Sequence, residues 1–400
     1  MTLASTTSNE MARPPTLDRA DLVGLALVAA AVLWTFVAAT SGGDPWPTVG
    51  MFVLVALVYT FGRMVTPAVP FLVPALVVAV AVVLGVLGLA GALPEGADAA
   101  PLGYVNARSA FYVEAAAAAV MLAVLLRGRG AKIAWLGAAV VLAFVPLFSR
   151  AEAASFVVVL LLLPAAAIAL EGRRLAVSVG LSALLFMATL AATSLVAAAP
   201  ESTPSRVVAE VVGKRRVALW NDGLDLMLHE PLTGVGPGRF AAEAATAQTD
   251  RDARWAHHGF LQQGAETGLI GLAILATLFL WGFWRVALAG PSGMAVMGAF
   301  ALTGLGILAC SDYVFHFPLV TGATAGLIGA AVGSTGSHPR ARPSGWGAGR
   351  TEVKLDGGLR SSPLQAFFQW RAKRRLSVSG QHPATHNLRG RRTITVEGNG

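Results

Sequence analysis

Apolar runs long enough to cross a bilayer alternate with short polar breaks along most of the chain, and one polar stretch, Lys214 to Gly271, stands out between them. A hydrocarbon core needs about 17 to 25 mostly apolar residues per helix. Windows of that length predict about ten spans, at 22–40, 47–62, 70–92, 109–126, 132–148, 152–170, 174–197, 259–284, 293–310 and 313–332. Pro74, Pro146 and Pro164 fall inside runs, which membrane helices tolerate. The pattern therefore predicts an all-α, polytopic membrane helix bundle. Residues 1–21 form an N-terminal segment, 22–197 seven spans, 198–257 a long loop, 258–332 three spans and 333–400 a tail.

Composition agrees with that reading. The 400 residues are 55% hydrophobic and 13% charged, with a mean hydropathy of +0.64. In a soluble domain about a quarter of residues are charged. Cys310 is alone and cannot form an internal disulfide. The first 21 residues lack the short apolar core and cleavage site of a signal peptide, so the first span is expected to be retained. The net charge of +8 belongs to the tail, where twelve Lys/Arg follow Gly333 against three acids. No nucleic-acid partner is expected. The tail reads as a solvated orienting segment, or, through LQAFFQWRAKRRL, as a piece lying on an anionic leaflet.

Short loops rich in Lys and Arg face the cytoplasm. Placing both termini inside assigns Arg13, Arg19, Arg63, Arg127, Arg129, Lys132, Arg173, Arg174 and Arg285 to that side. Residues 198–257 then lie outside, where a long loop is exempt from the rule. Arg150, in LFSRAEAASF, sits at the outer boundary with almost no loop to hold it. It either snorkels or pairs with Glu152, or it serves a function, as boundary arginines in bundles often do.

Within the loop, Ser205 to His229 lacks proline and reads as one or two helices. Arg216 and Trp220 are four apart and share a helical face; the Trp would mark the headgroup level, and Arg216 is either a functional cation or a solvent-facing member of KRR. PLTGVGPGRF misses dinucleotide-motif spacing, and a turn bringing backbone N–H groups to something anionic fits it better. In WAHHGFLQQGAETGLIG, a helix starting at His257 would place Leu261, Gly264, Gly268 and Gly271 within about 40° of it, along a seam open to another helix. Glu266 would then lie about 180° away and about 13 Å deeper, too far to be its catalytic partner, and would bond instead with Gln262. Adjacent His257 and His258 diverge on a helix, so no metal site is expected.

RRVALW, HEPLTGVGPGRF and AHHGFLQQGAETGLIG together resemble the O-antigen ligase and O-antigen polymerase family of membrane glycosyltransferases. The likeness covers Phe148 to Leu272 and includes His257 followed by Gly268, with Ser149-Arg150 upstream. His258 stands where the family pattern has Asn, so the choice of His257 rests on register. The resemblance implies a C-type glycosyltransferase-like bundle. It would move a glycan from an undecaprenyl-diphosphate-linked donor to a hydroxyl on a glycan, lipid, protein or wall acceptor, outside the membrane and with inversion. It implies no cofactor, so protein cations must hold the departing diphosphate. Arg150 and Arg216 suit that, because a guanidinium grips phosphate through two parallel hydrogen bonds. His257 would accept the proton of the acceptor hydroxyl. Trp220, His258, Gln262, Glu266 and Gly268 would support them. A polymerase shares this chemistry; a transporter or flippase is the reading from another class, although no internal repeat supports it.

Overall fold

The computed structural model describes residues 16–93, 104–148, 153–171, 175–199, 212–250 and 253–334. All of these lie within one compact unit, Met1–Arg340. Among them every regular element is helical: α1 (Arg19–Ala38), α2 (Trp46–Val65), α3 (Leu72–Leu89), α4 (Val105–Leu125), α5 (Arg129–Phe148), α6 (Ala153–Glu171), α7 (Leu175–Ala197), α8 (Lys214–His229), α9 (Phe240–Glu243), α10 (Ala245–Thr249), α11 (Gly259–Leu288), α12 (Gly293–Ala309) and α13 (Pro318–Gly333). Seven of the described helices, α1 to α5, α7 and α11, are long and apolar enough to cross a membrane; α12 and α13 are apolar but shorter.

Packing follows from small side chains, as it must where lipid removes the hydrophobic drive between helices. Helix α4 is the centre: Ala115 to Ala119 are fully buried, and α4 packs against α3, α5, α6, α12 and α13. Helix α13 lies on α2 along Gly326, Gly329 and Gly333, and a Cβ at Gly329 would strike the Tyr59 carbonyl oxygen.

The bundle has two polar ends. At one, Asp18 caps α1 and Asp21 closes a reciprocal capping box with it. Arg285 of α11 bonds Asp21 (2.9 Å) and Asp18 (2.6 Å). Tyr59 donates to Asp21 at 2.6 Å, and Arg63 lies 3.4 Å from the same carboxylate. At the other end lie the first residues of α4 and α11, the α12–α13 connection, and α8 to α10.

Candidate functional site

Helix α8 packs against α11, and the chain then turns back through Pro231 to Arg239. This turn docks where α11 breaks. Gly268 has φ 69°, ψ −176° inside the helix. The carbonyls freed there are all used: Ala265 O accepts from Val235 N (2.9 Å), Glu266 O from Gly236 N (3.1 Å), and Thr267 O from Trp34 Nε1 (2.8 Å). Leu269 N donates to Pro231 O at 2.8 Å. Glycine is required at 268 twice over, by its φ and because a Cβ would run into the Leu232 carbonyl. What approaches Gly268 is therefore a loop, not the neighbouring helix expected of a glycine seam.

Glu266, 4% exposed, accepts from Gly238 N at 3.0 Å and from Gln262 Nε2 at 3.1 Å, while Gln262 Oε1 accepts from Ala256 N. The acceptor that the glycine turn approaches is this buried carboxyl group. The α1–α2 connection clamps the same turn from outside, with Asp44 N donating to Pro237 O at 3.0 Å and Arg239 to Ser41 O at 3.2 Å.

The histidines separate sharply. His258 is fully buried and is the N-cap of α11, its Nδ1 accepting from Leu261 N at 3.3 Å. That leaves Nε2 to donate to Thr193 Oγ1 at 2.9 Å, and burial pushes the ring's pKa down to about 3. His258 is thus a neutral cap with both nitrogens occupied. His257 precedes the helix rather than starting it, in the left-handed region at φ 50°, the one such non-glycine among the described residues. The helical phase counted from it does not apply. Backbone strain of this kind, of about 1–3 kcal/mol, persists where the surroundings enforce it. Here Trp220 Nε1 holds the His257 carbonyl at 3.0 Å. Trp220 is 2% exposed, so it braces the site and does not mark a headgroup level.

His257 Nδ1 lies 3.0 Å from Asp312 Oδ1. Asp312 occupies the short connection between α12 and α13 and is 2% exposed. Its carboxylate also accepts from Tyr313 N (2.8 Å), Tyr104 Oη (2.7 Å) and Asn106 Nδ2 (2.7 Å). Burial pulls this carboxyl upward, but the bonds and charge from His257, with those from Tyr104 and Tyr313 N, outweigh it and leave it below its ordinary value. Burial and the Asp312 charge raise the Tyr104 phenol, so it stays a donor. An ionised Asp312 fixes the proton of neutral His257 on Nδ1, leaving Nε2 as an acceptor. The His257 side chain is 19% exposed.

Arg216, half-buried on α8, places its positive charge close enough to favour ionisation of Tyr104. His257, Asp312, Tyr104 and Arg216 therefore share one end of the bundle. Trp255, Tyr313, Tyr104 and Phe317 form an aromatic stack beside them, with centroid separations of 5.1, 5.0 and 5.7 Å. Arg150 lies outside the described residues. Among these, no three His, Cys, Asp or Glu side chains converge as a metal ion requires.

Asp312, Tyr104 and Asn106 were not singled out by the sequence. Their signal was available: an isolated Asp in the turn between the last two spans, and a Tyr-Val-Asn just before the fourth, both on the side assigned to His257. No curated protein matches the chain. The family model described as O-antigen ligase matches residues 99–276, a stretch holding Tyr104, Arg216, His257 and Gly268. Through that segment the chain, a multi-pass membrane protein, is similar to the O-antigen ligase family.

Proposed function

We propose that the protein transfers a glycan from an undecaprenyl-diphosphate-linked donor to an acceptor hydroxyl at the outer face of the cytoplasmic membrane. Ten spans and cytoplasmic termini complete this reading. The observation that carries it is the His257–Asp312 pair, its ring edge open, at the same end of the bundle as the guanidinium of Arg216.

His257 Nε2 takes the acceptor's proton as the hydroxyl oxygen bonds to the anomeric carbon. The bond from that carbon to the diphosphate oxygen breaks with its electron pair, and the configuration inverts. Asp312 orients the ring and stabilises the imidazolium formed. Arg216, with Arg150, holds the charge that develops on the departing diphosphate. General-base contributions run to about 10²–10⁴ in rate.

The test is transfer measured on the purified protein with a polyprenyl-diphosphate glycan. His257→Ala should lower the rate at least about 100-fold while insertion persists. Arg216→Lys keeps the charge and loses the two-pronged grip, and should raise donor KM or slow transfer. Wild-type rates in both variants would sink the assignment. Surface glycans of a deletion strain separate the products: full-length lipid-linked polymer accumulates if a ligase is lost, and single repeat units if a polymerase is lost.

A further inference from the structure

The central helix α4 carries a carboxyl near its middle. Glu114 lies about 14 Å along the axis from Val105 and about 17 Å from Leu125, at 1.5 Å rise per residue. In a hydrocarbon core about 30 Å thick that is close to the midplane. The side chain is fully buried, and Ala110, Ala117 and Ala118, its neighbours on the same helical face, are fully buried with it. Neither carboxyl oxygen has a hydrogen bond of ordinary geometry; the polar group within its reach is the Thr324 hydroxyl of α13. That hydroxyl donates to Val320 O at 3.2 Å, so its lone pairs remain free to accept.

A charge at this depth would need a cation, and the described residues offer none at its level. The helices packed on α4 are α3, α5, α6, α12 and α13. Helices α3, α12 and α13 carry no charged or titratable side chain, α5 carries Arg129 and Lys132 in its first turn, and α6 ends on Glu171. On α4 itself, Arg108 and Tyr112 lie against Gly88 and Gly85 of α3. Asp312, bonded to Tyr104, and His316 belong to the α12–α13 connection at the end of the helix. A buried carboxylate left unpaired is so costly that the group takes up a proton instead. One carboxyl and one hydroxyl fall short of the roughly 6–8 oxygens that a calcium ion takes, whereas a proton needs only this pair. The two helices that meet here also meet at the reacting end, where Tyr104 and Asn106 of α4 bond Asp312 just before α13 begins.

We propose that Glu114 is a proton-binding site of the bundle interior: a neutral acid that donates to Thr324 Oγ1 and acts as a positioning residue, holding α4 and α13 in the register in which Tyr104 and Asn106 grip Asp312. The positioning role rests on the glycan-transfer reading; the bound proton does not. Infrared spectra of the full-length protein in nanodiscs at neutral pH test the proton. Subtracting the spectrum of Glu114→Gln from that of wild type cancels the other acids and should leave the carbonyl stretch of one neutral carboxylic acid. Glu114→Leu should leave the same band, so failure of one variant to fold keeps the test intact. A missing acid band, or a carboxylate band in its place, would overturn the proposal. Transfer kinetics test the positioning. Glu114→Leu fills the space without a donor, an exchange that buried polar groups often tolerate in stability. Its thermal midpoint should therefore hold while kcat falls at least about tenfold with donor KM unchanged, a split that a packing role alone would not produce. Glu114→Gln restores an uncharged donor and should recover kcat to within about twofold of wild type. Wild-type kcat in Glu114→Leu, or no recovery in Glu114→Gln, would overturn the positioning role. Wild type that shows the acid band yet transfers no glycan would overturn the reaction and leave the proton site standing.

Discussion

At the scale of single residues, the pair of histidines shows how neighbours acquire opposite roles. Burial and two occupied nitrogens make His258 a cap, whereas His257 bonds Asp312 and keeps 19% of its side chain exposed. Asp312→Asn should therefore preserve the packing and remove most of the function. An amide NH₂ facing Nδ1 selects the tautomer with its proton on Nε2, so transfer should fall by about two orders of magnitude or more. The linkage has a definite sign. A carboxyl held below its ordinary value stabilises the fold above that value, and the contribution is lost as pH falls through the depressed one. Thermal unfolding should thus show wild type above the variant near neutral pH, with the margin lost as the pH falls through the depressed Asp312 value. Local spacing singles out His257, Arg216 and Gly268 as candidates. It does not single out Asp312, whose meaning depends on a contact across 55 residues.

At the scale of elements, the apolar pattern located the helices well: each predicted span overlaps one, and Lys214–His229 is helical as the absence of proline suggested. Phase was the weaker guide. It treated the stretch from His257 as one regular helix, whereas the helix starts at Gly259 and changes direction at Gly268. A wheel has no means of representing a residue at φ 69°, and the reason for that φ lies in the upstream loop around Leu232. Gly268→Ala should accordingly do more than remove flexibility. It adds strain of about 1–3 kcal/mol and a clash with Leu232 O, and should lower the yield of folded protein in detergent. Gly264→Ala meets the side-chain ends of Met227 and Leu272 and no backbone, and should be milder; the reverse ranking would contradict the docked turn.

At the scale of the whole molecule, the two polar ends do different work. The end built from Asp18, Asp21, Arg63 and Arg285 joins α1, α2 and α11, and its charges are matched in sign and number. Breaking such a buried pair from one side costs about 3–5 kcal/mol, because the partner charge is left unmatched. Arg285→Met should lower thermal stability by that order, and adding Asp21→Asn should recover part of it; equal losses in the single and double variants would mean the charges are not coupled. Transfer kinetics of the folded fraction should be unchanged, since the reacting end lies across the bundle.

The docking of residues 231–238 onto the break in α11 also bears on how substrates enter. Opening this segment as a lid would strip partners from the carbonyls of Ala265 and Glu266 and from the amide of Leu269, and backbone groups left unpaired in a packed interior are costly. The segment is consequently part of the rigid frame, unfolding only when α11 itself does. On the proposed reading, a substrate would reach His257 between the helices or over the exposed part of its ring.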